Sequence, residues 1–249
     1  MPGPMKAAVY TGDRTLAVDE RPVPVPSAGE VVIAVEYLRS IAMLPHASFS
    51  QAAEEFDRAW RHPQHTPIEL EPVDVNDMLQ QHYVLSEPVR LTRSMLWDAE
   101  AKKAWDPRRY IPDVVREGHS WGRTTLAEGE ERFLRASQQR AWKGDAYGQV
   151  LEEVYLSSRE YRILALGRAE LVSEDGRPVR AGGHQPLFHV GHSVGGTDTQ
   201  PLNLWRIVHL TPEKDDALSQ RLVTAQAEVL RQFIAIYVEQ TLGRKLTRR

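Results

Sequence analysis

The chain has 249 residues, 41% of them apolar and 26% charged, which is ordinary for a globular protein and excludes wholesale disorder. The formal net charge of -3 and the lack of a basic stripe argue against a nucleic-acid partner. The absence of cysteine excludes disulfides, iron–sulfur clusters and thiolate-bound metals, so a metal would need histidine, carboxylate, tyrosine or methionine ligands.

No apolar run is long enough to span a bilayer, and the first residues lack the pattern of a signal peptide. The sequence therefore predicts a cytoplasmic protein with no membrane partner. It leaves the oligomeric state open, a homodimer included.

The first segment predicts β structure. Its apolar runs, 7–10, 15–18 and 30–35, are rich in β-branched residues. Residues 5–10 and 29–32 resemble the opening of zinc-dependent medium-chain alcohol dehydrogenases, but residues 38–41 hold no cysteine where that family needs a zinc ligand. No dinucleotide-binding glycine motif follows either. We therefore expect residues 1–44 to be a β-rich N-terminal extension without a catalytic role. A truncated, non-catalytic dehydrogenase relative is the alternative.

From residue 48 onward the pattern predicts helices, which makes residues 45–249 a mainly α domain. Ser48 or Ser50 caps the first helix, Asp74 or Asn76 the second, and Thr211 with Pro212 opens the last. The predicted helices run over residues 48–60, 74–82, 91–105, 129–142, 145–156, 157–172 and 211–243.

The densest cluster of chemically active residues is the glycine-rich segment 182–197, which holds His184, His189 and His192. Three interpretations stay open: a loop without metal, a zinc or non-haem iron site built from these three histidines, and a haem site. A haem needs one axial histidine and apolar walls, which Phe188 and Trp205 supply.

Three further stretches are candidates for a pocket. Trp97 and Trp105 flank a cationic helix that suits haem propionates or a substrate carboxylate, although ordinary helix packing explains the same pattern. Arg123 follows a glycine-bounded His-Ser-Trp loop, which is equally consistent with a surface loop. His82 is isolated, as most structural histidines are, but imidazole also suits proton transfer from a phenol.

Taken together, several of these stretches resemble the histidine-ligated haem-dependent tyrosine hydroxylases of actinobacterial antibiotic pathways. The residues that carry the resemblance are 97–112, 118–122, 137–142, 185–193 and 201–206. The resemblance implies a helical haem-binding bundle of the tryptophan-dioxygenase kind. It also implies that L-tyrosine is converted to 3,4-dihydroxyphenylalanine with hydrogen peroxide, or with oxygen and a reductant.

The same resemblance implies the axial ligand, and the chemistry of the surrounding residues suggests the other roles. A related group binds its haem covalently through a cysteine four residues after the axial histidine; Gly196 occupies that position here, so His192 becomes the axial ligand of a non-covalent haem b. Phe188, Trp205, Trp97 and Trp105 are expected to line the haem site. For catalysis we expect His82 to bind the phenol and Arg93 or Arg123 to bind the substrate carboxylate. The alternatives are a non-haem metal enzyme and a non-catalytic haem-binding protein.

Overall fold

The computed structural model describes residues 5–10, 16–21 and 46–249, and the chain divides into two compact units, Met1–Pro45 and His46–Arg249. In the first unit, β1 (Met5–Tyr10) and β2 (Leu16–Arg21) form an antiparallel pair in which Met5 lies opposite Arg21. Each strand overlaps one of the apolar runs that predict β structure, 7–10 and 15–18. The third predicted run, residues 30–35, lies outside the described residues, and the expected role of residues 1–44 stays a prediction.

The second unit begins with short elements and helices. In chain order they are α1 (Phe49–Arg61), β3 (Thr66–Glu69), β4 (Val73–Asp74), α2 (Val75–His82), β5 (Tyr83–Leu85), α3 (Arg93–Trp105) and α4 (Pro107–Tyr110). The predicted caps are confirmed at two of them: the Ser48 hydroxyl accepts a hydrogen bond from the amide of Gln51, and the Asp74 carboxylate accepts from those of Asn76 and Asp77.

The remainder of the unit is mainly strand and ends in one long helix. The elements are β6 (Val115–Ala127), β7 (Glu130–Arg140), β8 (Tyr147–Ser157), β9 (Arg162–Arg168), β10 (Glu170–Val172), β11 (Pro178–Arg180), β12 (Phe188–Gly196), β13 (Pro201–His209), α5 (Asp216–Gln240) and β14 (Leu246–Arg248). Asp215, and not the predicted Thr211, caps α5.

One antiparallel sheet of eight strands organises this unit. Its order is β3-β13-β12-β9-β8-β7-β6, and β4 pairs with β13 beside β3. Strands that follow one another along the chain from β6 to β9 are therefore neighbours in the sheet, and β12 returns to pair with β9. Two small pairs, β10 with β11 and β5 with β14, lie outside it.

The two faces of the sheet are covered by different helices. On the α1 face, Phe49 and Phe56 of α1 pack with Tyr155, Leu164 and other buried residues of the strands. On the opposite face, which we call the α3 face, Ala104 of α3 packs against strand residues that include Phe133, Val154, Leu156, Ile163 and Ala165. Alternate residues of a strand point to opposite faces, so 154 and 155 belong to different layers.

The helix α5 joins the α3 face to the rest of the unit. Leu230, Phe233, Ile234, Tyr237 and Val238 are buried in one cluster with residues of α2 and α3. These positions fall on one stripe of the helix, as the spacing of apolar residues predicts. Leu218, near the start of α5, packs with Trp205 and neighbouring residues of the sheet.

The predicted fold class, a mainly α bundle, is wrong: the described unit is α+β and built on the antiparallel sheet. The segments predicted as helices over 129–142, 145–156 and 157–172 are β7, β8 and β9–β10. The predicted helix start at 157–160 instead covers the end of β8 and the turn to β9, where Tyr161 has a positive φ of 50°. Hydrogen bonding and burial between strands override the helical spacing that a single segment displays.

No helix in the described ranges combines the length and the apolar character needed to cross a membrane.

Candidate functional site

The candidate functional site is a cavity of about 210 Å³ between the α3 face of the sheet and the helices α3 and α5. Most of its wall is apolar. The apolar lining residues are Leu70, Ala104, Pro107, Ile111, Val114, Ala141, Trp142, Val154, Ile163, Ala165, Phe188, Val190, Trp205, Ile207, Leu222 and Val229; the polar ones are Lys103, Arg135, Gln139, Arg140, Glu152 and His192.

Strand alternation explains why these residues share one cavity. Phe188, Val190 and His192 are every second residue of β12, and all three line the cavity, whereas His189 and Gly191 face α1. Phe56 of α1 lies 3.3 Å from the position that a Cβ of Gly191 would take, so the close approach of α1 leaves no room for a side chain there. Gly191 therefore does not mark a loop: it lies in a strand, and its lack of a side chain allows α1 to pack closely on that strand.

Two buried ion pairs lie at one end of the cavity, which we call the inner end; Lys103, Arg135 and Glu152 line the cavity, and Glu100 lies next to the lining as the partner of Lys103. Arg135 of β7 donates from Nε and Nη2 to Oε2 of Glu152 at 2.9 and 2.7 Å, and from Nη1 to the carbonyl oxygen of Ala104 at 2.5 Å. Lys103 Nζ lies 2.7 Å from Oε2 of Glu100, one turn earlier on α3. At most a tenth of any of these four charged side chains is exposed. A buried charge is tolerated only with such partners.

Neutral polar groups complete the inner end. The amide of Gln139 donates to the hydroxyl oxygen of Ser137 at 2.9 Å and approaches Glu152 Oε2 at 3.4 Å. Asn203 of β13 donates to Oε1 of Glu100 at 2.6 Å. Glu152 is therefore bonded by two residues of β7, and Glu100 by one residue of α3 and one of β13, which fixes both carboxylates in an otherwise apolar region.

Lys103 is surrounded by apolar and charged groups at once. Burial lowers the pKa of its ammonium group, and the carboxylate of Glu100 opposes that shift. The ammonium nitrogen also lies 4.7 Å from the centre of the Trp205 ring and 4.2 Å from that of Phe233, where the aromatic faces attract a cation.

His192 stands beside this cluster. Its Nδ1 is shielded and has no hydrogen-bond partner within the described part of the chain, although Glu100 Oε2 lies 3.6 Å away. Burial is the main reason that its pKa lies well below the ordinary value, and the positive charges of Lys103 and Arg135 add to the effect. The ring of Trp205, opposite it on β13, packs edge-on at 5.0 Å between centroids. The imidazole is therefore neutral at pH 7 and held in one orientation.

Aromatic rings form part of the outer wall. Trp142 packs edge-on against Phe188 at 5.0 Å, and His209 stacks on Phe188 at 5.7 Å and meets Trp142 edge-on at 5.2 Å. Arg140, next to this group, is exposed. We call this end of the cavity, with Trp142, Phe188 and Arg140, the outer end; its charged residue is exposed, whereas those of the inner end are buried.

A second polar cluster lies on the α1 face and does not border the cavity. Glu55 of α1 accepts hydrogen bonds from Arg168 at 2.5 and 3.0 Å and lies 2.6 Å from Nε2 of His46 and 3.3 Å from Nε2 of His189. Arg168 also binds Glu153 on β8. Because these groups join α1 to β8, β9, β12 and the segment before α1, we interpret the cluster as structural.

The structure brings together three of the residues that the sequence predicts for a cofactor site: Phe188, His192 and Trp205 line the cavity. The other two do not line it. Trp97 packs edge-on against Tyr161, and Trp105 is 36% exposed beside Phe133.

The predicted substrate-binding residues lie elsewhere. His82 is the last residue of α2, and its carbonyl oxygen accepts from the amide of Arg249. Arg93 extends over the Tyr161 ring and towards the carbonyl of Val194. Arg123 pairs with Glu131 in an exposed position. None of these three lines the cavity, and their proposed roles stay predictions.

The alternative of a metal site built from His184, His189 and His192 is wrong. Residues three apart share a face of a helix but point to opposite faces of a strand, so His189 faces α1 and His192 faces the cavity. His184 lies in the segment before β12, against Gly148. Across the described residues, no group of three or more histidine and acidic side chains is arranged to hold a metal ion.

The predicted haem b does not fit the cavity as it stands. Its volume of about 210 Å³ lies below the roughly 300–1,000 Å³ that drug-sized ligands occupy. Haem binding itself stays a prediction of the sequence. The absorption spectrum of the protein supplied with haem tests it.

Sequence reasoning missed the polar residues that the sheet contributes to the inner end: Arg135, Glu152 and Gln139. The signal was present, because Arg135, Ser137 and Gln139 alternate along β7 with more exposed residues. It was hidden because the inward-facing positions carry polar side chains, and polar positions normally indicate the solvent-exposed face of a strand or helix.

Comparison with known proteins identifies no family. No family model matches the chain, and no curated protein matches it either. Among solved structures, Ara h 8.0201 matches with 8% identity over 68% of this chain and 97% of its own, at a TM-score of 0.42. The Zhui aromatase/cyclase from Streptomyces sp. R1128 matches with 9% identity over 71% and 96%, at 0.41. The di-domain ARO/CYC StfQ of the steffimycin pathway matches with 10% identity over 78% and 56%, at 0.42. Similarities at this level assign no activity.

The expected membership in the haem-dependent tyrosine hydroxylases is wrong, and so is the function it implied, conversion of L-tyrosine to 3,4-dihydroxyphenylalanine. That family requires a helical bundle around the haem. Here residues 137–142, 185–193 and 201–206, on which the resemblance rested, belong largely to β7, β12 and β13 of one sheet. Short sequence similarity in segments of different secondary structure does not carry a fold or a mechanism.

Proposed function

We propose that this chain binds a small, largely apolar molecule in the cavity on the α3 face. The observation that carries the proposal is a cavity of about 210 Å³ whose wall is mainly aliphatic and aromatic, and in which the polar lining residues other than Arg140 interact with one another. Ligand sites typically combine an apolar wall with a few polar groups that fix orientation.

The volume limits the ligand to about two fused rings. A cavity of roughly 150 Å³ holds benzene, so about 210 Å³ holds a somewhat larger flat molecule. Trp142 and Phe188 at the outer end and Trp205 further in offer aromatic surface to such a molecule.

The test is direct binding of 2-fluoronaphthalene, an uncharged two-ring molecule, measured by calorimetry. For eleven heavy atoms we expect a dissociation constant on the order of 0.1 mM. Ala165 lies on the central strand β9 and lines the cavity, so Ala165→Phe fills part of the space and is expected to weaken binding at least tenfold.

The matched control is Ala169→Phe, four residues along at an exposed position. It should bind 2-fluoronaphthalene as the wild type does. Thermal melting of both variants checks that each one folds. Absence of binding to the folded wild type, or equal binding by the two variants, would exclude the cavity as a ligand site.

A further inference from the structure

The inner end of the cavity is balanced in charge. It holds two cations, Lys103 and Arg135, and two carboxylates, Glu100 and Glu152, each paired within 3 Å. A charged group on a ligand would find no free partner of opposite sign among these four, and it would lose its hydration. The inner end therefore suits a polar group without charge.

His192 decides which kind of neutral group fits. Only Nδ1 of its ring is shielded, and the side chain is 16% exposed, so the exposed part of the ring, with Nε2, borders the cavity. Glu100 Oε2, 3.6 Å from Nδ1, favours the tautomer with the proton on Nδ1. Since the low pKa keeps the ring neutral, Nε2 then presents a lone pair to the cavity, which accepts a hydrogen bond.

We infer that the cavity selects an uncharged ring compound with a hydroxyl group, and that this hydroxyl donates its hydrogen bond to Nε2 of His192. The inference rests on the proposed function and names the class of ligand for that same cavity: phenols and related ring alcohols. His192 is then the residue that determines specificity, while Glu100 positions its ring and its proton.

The experiment compares three ligands of similar size at pH 7: 2-naphthol, which donates a hydrogen bond; 2-fluoronaphthalene, which does not; and 2-naphthoate, which is charged. One added hydrogen bond is expected to make 2-naphthol bind about threefold to tenfold more tightly than 2-fluoronaphthalene. The 2-naphthoate anion should bind at least tenfold more weakly than 2-naphthol.

Variants assign the preference to His192. His192→Phe should abolish the preference for 2-naphthol over 2-fluoronaphthalene, and His192→Gln, whose carbonyl oxygen also accepts, should restore part of it. A merely structural role would weaken both ligands equally and leave their ratio unchanged. His119→Phe, at a histidine that is 65% exposed, is the control and should keep the wild-type ratio.

The outcomes separate the two proposals. If 2-fluoronaphthalene does not bind the folded protein, the proposed function itself fails. If it binds but 2-naphthol binds no better, or 2-naphthoate binds best, the cavity is a ligand site and the selection by His192 is overturned.

Discussion

Arg135 and Glu152 lie directly opposite each other on β7 and β8, and two guanidinium nitrogens of the arginine donate to a single carboxylate oxygen of the glutamate. The remaining guanidinium nitrogen donates to the carbonyl oxygen of Ala104 on α3. The pair therefore links the sheet to a helix as well as forming one end of the cavity. Since both side chains are almost fully buried, either one without the other would be an uncompensated charge.

We expect Glu152→Gln to lower the free energy of unfolding by about 3–5 kcal/mol, because it leaves the guanidinium of Arg135 buried without its counter-ion. The double variant Arg135→Met with Glu152→Leu should lose much less, since it removes both charges. Urea denaturation measures both.

The exposed pair Arg123 and Glu131 is the control. Glu131→Gln should change the free energy of unfolding by less than about 1 kcal/mol, because water already solvates both groups. A loss at Glu152→Gln no larger than this control would contradict the assignment of a buried pair.

Glu55 on the α1 face should make the stability of the protein depend on acid pH. Burial raises the pKa of its carboxyl, but hydrogen bonds from His189, Arg168 and His46 outweigh burial and hold the pKa far below the ordinary 4.5. A lowered pKa in the folded state stabilises the fold above about pH 4.5, and that contribution is lost as the pH falls below this value.

The corresponding measurement is the urea midpoint at pH 7 and pH 3.5. Glu55→Gln should lower the free energy of unfolding at pH 7 by about 1–3 kcal/mol and lose less than the wild type on acidification. Glu54→Gln, at the neighbouring position with 71% exposure, should behave as the wild type does. Equal pH dependence in all three proteins would rule out this role for Glu55.

Helices were predictable from the sequence wherever a cap and an apolar stripe coincide. Ser48 and Asp74 cap helices close to the predicted bounds, and the stripe from Leu218 to Tyr237 lies within α5. The strands β7 and β8 were not, because Arg135 and Glu152 are inward-facing polar residues whose partners lie on other elements. A single segment contains no sign of such partners, so the period of two stays hidden.

The candidate site was predictable only in part for the same reason. Phe188, His192 and Trp205 were singled out from one histidine-rich segment and its neighbour, and they meet at the cavity through the pairing of β12 with β13. Arg135 and Lys103 come from distant positions: the order of the strands brings Arg135 towards His192, and the packing of α3 on the sheet brings Lys103.

Gly196 should tolerate no side chain. It is the last residue of β12 and has a φ of +71°, and a Cβ there would lie 2.1 Å from the carbonyl oxygen of Gln200. We expect Gly196→Ala to lower the free energy of unfolding by about 2–4 kcal/mol through backbone strain and this clash together. Thermal melting measures the loss.

Gly122 separates the two causes. Its φ of +63° is similar, but an added Cβ would meet nothing within 4 Å among the residues that the structure describes. Gly122→Ala should therefore lose only about 1 kcal/mol, the cost of the left-handed conformation. If the two variants lose the same amount, the contact with Gln200 has no energetic role.

His209 should reduce the stability of the protein in mild acid. Its ring stacks on Phe188 and meets the edge of Trp142, and neither ring nitrogen has a hydrogen-bond partner in the described ranges. Burial is the main cause that lowers its pKa to about 4; the carboxylate of Asp215 opposes the shift, and Lys143 adds to it. Between about pH 6.5 and pH 4 the unfolded chain then binds a proton that the folded chain does not. The free energy of unfolding therefore decreases as the pH is lowered, and at pH 5 this group has cost roughly 2 kcal/mol relative to neutral pH.

Replacing His209 by phenylalanine removes the titrating group and keeps an aromatic ring in contact with both Phe188 and Trp142. We expect His209→Phe to be at least as stable as the wild type at pH 7.5 and clearly more stable at pH 5, because an unpaired polar ring becomes an apolar one. Urea denaturation at the two pH values measures the difference, with His119→Phe as the exposed control. A wild type and a His209→Phe variant that lose equal stability on acidification would show that His209 is protonated in the folded state and finds a partner there.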